Sequence, residues 1–138
     1  MLHALFEFRL LAVAVALVPS FILGGVWFGV VVAKPYVIAL GRQTLPPQKP
    51  SPLFIVGPLF CNLIVTLTSA VLLRMLGIDS IEGALGFGVL IGIGYLLSTC
   101  LNIAINPNFP RPFLYAAINA PYFIASSLMT SVILVLMR

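Results

Sequence analysis

Few side chains in this sequence could carry covalent chemistry, and they lie far apart. The two cysteines, Cys61 and Cys100, each sit inside a long apolar run. Neither belongs to a CxxC pair or to a Cys/His pattern with metal-ligand spacing. The single histidine, His3, has no base or metal partner nearby in sequence. The three acidic residues, Glu7, Asp79 and Glu82, lie at or outside the ends of apolar runs. An activated nucleophile needs an adjacent base, and a catalytic metal needs several converging ligands. Proton- or cation-coupled transport uses a carboxylate or histidine within the membrane. No such constellation is visible. The expectation is a protein that is not an enzyme and that holds no metal and no cofactor.

The polar residues that remain are neutral, and they fall at helical spacing. Asn62, Thr66 and Ser69 follow i, i+4, i+7; Gly94, Ser98 and Asn102 repeat at intervals of four. Asn119 is followed by Ser126, Ser127, Thr130 and Ser131. Such stripes can hydrogen-bond across helices as glue, at about 0.6 kcal/mol per contact, or line a narrow wet path. The lack of a buried ionisable group favours glue. Small residues also recur at intervals of four, as Gly25 with Gly29 and as Ala84, Gly88 and Gly92. Without side chains, two helix backbones approach closely in lipid, so these positions are expected to be helix-packing faces.

The elements that must position these residues follow from composition. Of 138 residues, 62% are hydrophobic and 7% charged, with a mean hydropathy of +1.20. A water-soluble domain carries about 25% charged residues. Four uncharged runs, Leu10–Ala33, Leu53–Leu73, Gly83–Asn106 and Phe113–Met137, have 21 to 25 residues each. About 20 helical residues cross the hydrocarbon core of a bilayer. The fold expected is all-α: a polytopic bundle of four transmembrane helices in one membrane domain over 1–138. The helices are placed at about 9–33, 52–76, 80–105 and 112–137, with a Pro-rich loop at about 41–52. The first run exceeds the apolar stretch of a signal peptide and reads as a retained helix.

Boundaries are legible in the turn residues. Lys34-Pro35 is expected to stop the first helix, since proline disfavours helix in the residue before it. Ser51-Pro52 supplies an N-cap and a first-turn proline. Gly77 closes the second helix, and Asp79 with Glu82 suggests a capping box for the third. Pro112 opens the fourth. Pro19, Pro58 and Pro121 fall inside helices, where each removes a backbone donor. An antiparallel arrangement brings Cys61 and Cys100 toward one membrane face as small buried hydrophobes. The segments "SPLFIVGPLF" and "RPFLYAAINAPYF" echo each other at the starts of helices two and four.

Seven basic against three acidic residues give a net charge of +4. The basic residues are scattered at helix ends and do not point to nucleic acid. Lys34, Arg42, Lys49 and Arg111 fall on one side, and Arg9, Arg74 and Arg138 on the other. This slight excess places the basic loops in the cytoplasm and both termini outside. Trp27, Lys34 and Tyr36 are expected to anchor the chain at the membrane interface, the aromatics at headgroup level and the lysine by snorkelling.

The stretch "LGGVWFGVVVAKPYVIALG", the glycine-rich third run and "INAPYFIASSLMTSVIL" together resemble the membrane family known as domain of unknown function 1761. Gly24, Gly25, Trp27, Phe28, Lys34 and Tyr36 match its first pattern. Asn119, Ala120, Tyr122 and Phe123 match its second, where Pro121 interrupts the patch. Phe28 stands where the family more often has tyrosine. The resemblance implies four membrane helices and no assigned activity.

The functional expectation is a self-associating structural or scaffolding subunit, surrounded by membrane lipids and forming a homo-oligomer. One alternative is a small oligomeric channel or transporter whose path is lined by Asn62, Thr66, Asn102 and Asn119. Another is a protein that binds a lipid or other apolar molecule between kinked helices.

Overall fold

In hydrocarbon a backbone N–H or C=O has no water to bond, so a long uncharged run satisfies its polar groups internally as helix. The computed structural model describes residues 10–47, 49 and 51–138, and it follows that rule. Four helical stretches are long and apolar enough to cross a membrane: Leu10–Val31, Leu53–Met75, Ile81–Ala104 and Pro112–Leu136. The protein is an all-α, polytopic membrane bundle. His3, Glu7 and Arg9 lie outside the described residues.

Two of the four spans are not plain α-helices. The first begins as α1 (Leu10–Val26) and widens into a π-helical segment, Trp27–Val31, in which the Val32 N–H reaches the Trp27 carbonyl at 2.8 Å. Val32 then leaves helical geometry (φ −114°, ψ 16°), and a short helix α2 (Ala33–Ala39) follows. The break therefore falls two residues before the expected stop at Lys34-Pro35. Pro35 lies in the first turn of α2, where a backbone N–H has no partner within its own helix and its absence is tolerated. The second span is α3 (Leu53–Met75). The third runs as α4 (Ile81–Val89), a π-helical segment (Leu90–Leu97) and α5 (Ser98–Ala104). Ser98 Oγ donates to the Ile93 carbonyl five residues back at 2.8 Å, a bond that matches the π register. The fourth is α6 (Pro112–Leu136), with Pro112 in its first turn.

The caps are built locally. Leu53 N–H reaches Ser51 Oγ at a long 3.4 Å, and Pro52 takes the capping position. At the third span the cap is Ser80, whose Oγ accepts from Gly83 N–H at 3.1 Å. The Asp79–Glu82 box does not form. Ser80 is one residue closer to the helix and places its hydroxyl on the third helical N–H, leaving Glu82 as a first-turn acid near the positive end of the dipole. α2 and α3 both end on a glycine with positive φ, Gly41 (66°) and Gly77 (65°). In each case the next residue bonds a carbonyl five back, Arg42 to Val37 and Ile78 to Leu73, both at 3.0 Å. This helix ending needs a left-handed residue, which glycine adopts without strain.

α6 is the central element. It packs against α1, α2, α3 and all three parts of the third span, whereas the second and third spans scarcely touch. The tightest apolar cluster sits at the end where the first span starts and the fourth finishes. It joins Ala12, Val13 and Ala16 to Leu73, Ala84, Phe87, Leu134 and Val135. Four of its nine buried residues are alanines, Ala12, Ala16, Ala70 and Ala84, so backbones approach there and dispersion accumulates without a hydrophobic drive. At the same end Arg138 Nη1 donates to the Ile78 carbonyl at 2.6 Å.

Candidate functional site

The polar residues collect around α6, in a seam and in a cleft. The seam lies between α6 and the first and third spans. Ser20 Oγ and Thr130 Oγ1 are 2.9 Å apart, with Ser20 fully buried and Thr130 nearly so. Ser127 Oγ lies within hydrogen-bond reach of three carbonyls: Gly88 across the interface at 2.8 Å, and Phe123 and Ile124 of its own helix at 2.7 and 3.1 Å. Ser131 Oγ bonds back to the Ser127 carbonyl at 2.9 Å. Each of these hydroxyls is hydrogen-bonded to protein, as polar groups in hydrocarbon must be.

The seam closes this tightly because of the third-span glycines. A Cβ on Gly88 would lie 2.8 Å from Leu128 Cα, and one on Gly92 would lie 3.1 Å from Ile124 Cα and collide with Ser127 Oγ. Ala84, one turn earlier on the same stripe, is fully buried. Gly25 and Gly29 share the same spacing but meet nothing within 4 Å. Their face is open along the first span.

The third span's other stripe turns away. Gly94, two residues on from the buried Gly92, is exposed, so a stripe running through it is directed off α6. Ser98 and Asn102 are accordingly exposed. Asn119 is buried, and its Nδ2 donates to its own helix at the Tyr115 carbonyl, 2.7 Å away. Thr66 is fully buried and donates to the Asn62 carbonyl at 2.8 Å. No continuous polar surface joins Asn62, Thr66, Asn102 and Asn119.

The cleft opens where the second and third spans diverge over α6. Its polar part, about 260 Å³, is lined by Asn62 and Ser69 from α3, by Tyr122, Ser126, Ser127 and Thr130 from α6, and by Leu96 from the third span. A second, apolar part of about 370 Å³ continues between Ile64, Val65 and Leu72 of α3 and Ile91, Tyr95 and Leu96 opposite. Val65, Ser69 and Leu96 border both. The rim residues Cys61, Ile64 and Tyr95 are exposed, so the cleft faces sideways. Asn62 Nδ2 is buried and has no hydrogen-bond partner among the described residues. Cys61 lines the cleft as a free thiol, and Cys100, also free, is buried.

One side of α6 carries a chain of aromatic rings. Phe109, Tyr115, Tyr36, Phe28, Tyr122 and Phe123 follow one another at centroid distances of 4.9 to 5.7 Å. The Phe109–Tyr115, Tyr36–Phe28 and Phe28–Tyr122 pairs meet edge to face, a geometry that adds about 0.5–1.5 kcal/mol per pair beyond area. Gly24 makes room for the chain, since a Cβ there would lie 3.1 Å from the Tyr122 ring. Trp27 is half-buried, and its Nε1 donates to the Ile118 carbonyl of α6 at 2.9 Å. The indole donor thus meets protein rather than headgroups. Pro121 supplies no N–H to the Ala117 carbonyl, and the Trp27 bond lands one residue further on. Lys34 is exposed in the first turn of α2, and Tyr36 sits inside the aromatic chain.

Sequence reasoning placed Trp27, Phe28, Asn119 and Tyr122 in two separate patches, and the structure brings those patches into contact. The cleft itself left little trace in sequence, since Tyr122, Leu96 and Ser69 come from three spans. Among the described residues no three His, Cys, Asp or Glu side chains come together as a metal site.

The model of the family described as "Protein of unknown function (DUF1761)" matches residues 11–135, so the chain belongs to that family. Neither a curated protein nor a solved structure matches it.

Proposed function

We propose that this member of the DUF1761 family is a membrane-embedded binding protein, which admits a small apolar molecule from the bilayer into the cleft between its second and third spans. The observation that carries this reading is the divergence of those spans over a polar stretch of α6. A four-helix bundle that served only as packing material would close that gap, because unfilled space forfeits dispersion contacts. The two parts of the cleft, about 260 and 370 Å³, are of the order of small-molecule sites, roughly 300–1,000 Å³. Their apolar walls with a few polar groups fit the usual make-up of such sites. No side chain lining them is ionisable in the charged sense of Asp, Glu, Lys, Arg or His.

The channel reading has less support. The seam hydroxyls are bonded to each other and to carbonyls, and Ser98 and Asn102 lie on the outside. A self-associating subunit keeps one favourable observation, the open Gly25–Gly29 face. The Gly88–Gly92 stripe is filled by the chain's own fourth span.

The test is photolabelling of the reconstituted protein with a long-chain alkyl diazirine, mapped by mass spectrometry. Labels concentrated on Cys61, Ser69 and Leu96 support the cleft. Equal labelling of Cys61 and of lipid-facing Phe54 and Leu90 would overturn it.

A further inference from the structure

Lipid tails are as apolar as leucine. Apolar walls alone therefore give an occupant of the cleft no advantage over the surrounding bilayer. What can select it is a polar group of the cleft that the protein leaves without a partner.

Ser69 is that group. Eight polar side chains are buried in the bundle. The other seven are hydrogen-bonded, in the Ser20–Thr130 pair or to a backbone carbonyl. Ser69, 5% exposed, makes no hydrogen bond among the described residues. Inside a helix a serine or threonine hydroxyl can bond a carbonyl three or four residues back, as Thr66, Ser126 and Ser131 do here. Ser69 instead borders both parts of the cleft.

The other unbonded polar groups of the cleft are placed differently. Asn62 Nδ2 is sealed within the protein, with under 1 Å² of accessible surface, and Ser69 Oγ is not sealed in this way. Tyr122 turns its hydroxyl toward the first span, where a Cβ on Gly24 would lie 3.2 Å from it. Thr68 and Tyr95 stand exposed at the rim.

Depth and charge narrow the class. Ser69 precedes Met75, the nearer end of α3, by six residues, about 9 Å at 1.5 Å per residue. A polar group that meets it lies inside the hydrocarbon. No Asp, Glu, Lys, Arg or His lines either part of the cleft, and an uncompensated charge at this depth is costly. A hydroxyl both donates and accepts, so Ser69 serves an alcohol and a carbonyl alike.

We propose that the cleft takes an uncharged long-chain amphiphile, a single neutral polar group on an alkyl chain, and that Ser69 Oγ makes the hydrogen bond that distinguishes it from the bilayer's own tails. The proposal rests on the cleft reading above. The cleft borders α3 from Pro58 to Leu72, about 21 Å of helix at 1.5 Å per residue. Its long dimension follows the span, as an alkyl chain in a bilayer does.

The experiment is competition against the alkyl diazirine on the full chain in nanodiscs, read at Cys61 and Leu96. The competitors share one chain length: the primary alcohol, the methyl ketone, the alkane, and the permanently charged sulfonate and trimethylammonium. The alcohol, the ketone or both should displace label about fivefold more effectively than the alkane, the worth of one neutral hydrogen bond. Neither charged competitor should exceed the alkane. Ser69→Ala should bring the neutral-to-alkane ratio to about one while alkyl labelling of the cleft persists. Ser69→Thr keeps the hydroxyl and should keep part of the preference, which guards against a folding defect in the alanine variant. Equal displacement by the alkane and the neutral amphiphiles, a charged competitor that matches them, or a preference that survives Ser69→Ala would each overturn the proposal and leave the cleft standing. No focused labelling at all would remove both.

Discussion

The second and fourth spans look alike in sequence and behave differently in the fold. Each follows a loop with proline and a basic residue, each carries an internal proline, and each has an asparagine followed by hydroxyls. Yet 44% of the fourth span's apolar window is buried and 17% of the second's, while mean hydropathy runs the other way, 1.6 against 2.0. Of these two, the more hydrophobic helix is the one left facing outward. Burial is driven by packing and hydrogen bonds, because lipid tails are as apolar as leucine. The serines and threonine of α6 make it the hub, and the leucines and phenylalanines of α3 leave it at the edge.

That contrast can be broken most forcefully at glycines. Gly88→Leu or Gly92→Leu forces a side chain against the α6 backbone and should cost at least the upper part of the roughly 1–3 kcal/mol seen for overpacking. Gly57→Leu in the second span should barely shift melting, since a Cβ there meets only Leu53 at 3.9 Å. Thermal unfolding in mild detergent measures both. Equal losses would erase the distinction between hub and edge.

A smaller effect is expected from Ser127→Ala, which removes the bond to the Gly88 carbonyl and should lower stability by about 1 kcal/mol. Ser69→Ala, on the second span and without an interhelical bond, should cost less. The same melting comparison decides.

The two asparagines should differ in sign. Asn119→Leu loses a satisfied 2.7 Å bond at a buried site and should lower melting by an amount equivalent to about 0.5–1 kcal/mol. Asn62→Leu removes an unsatisfied donor, and in the absence of ligand it should leave melting unchanged or raise it. A clear loss at Asn62 would show a partner in the empty protein.

The smallest effect belongs to Gly25→Leu, directed at the open face of the first span. Monomer melting should not move. A change in assembly size in cross-linking, with melting constant, would assign that face to a second copy.

The four spans were legible because length and lack of charge suffice to make a membrane helix. The rotation of each helix about its axis was not. All sides of "GALGFGVLIGIG" are small or apolar, so nothing in it tells whether Gly88 meets α6 or another chain, or that Ser98 and Asn102 look outward. The spacing of Gly25 and Gly29 is identical to that of Gly88 and Gly92, and only the neighbours separate them. The π-helical segments left no trace either, because a register of five instead of four uses the same residues. The contact between Trp27 and Ile118 needed two spans brought together, although an indole N–H held away from water does demand an acceptor.

That indole has a further use. Trp27 is the sole tryptophan, and its N–H is held by a carbonyl of the central helix. The molecule therefore carries its own optical gauge at the joint between its first and fourth spans. If a visitor in the neighbouring cleft pushes Tyr122, the ring chain through Phe28 carries the shift toward that joint. The emission colour and lifetime would then report occupancy with no dye attached.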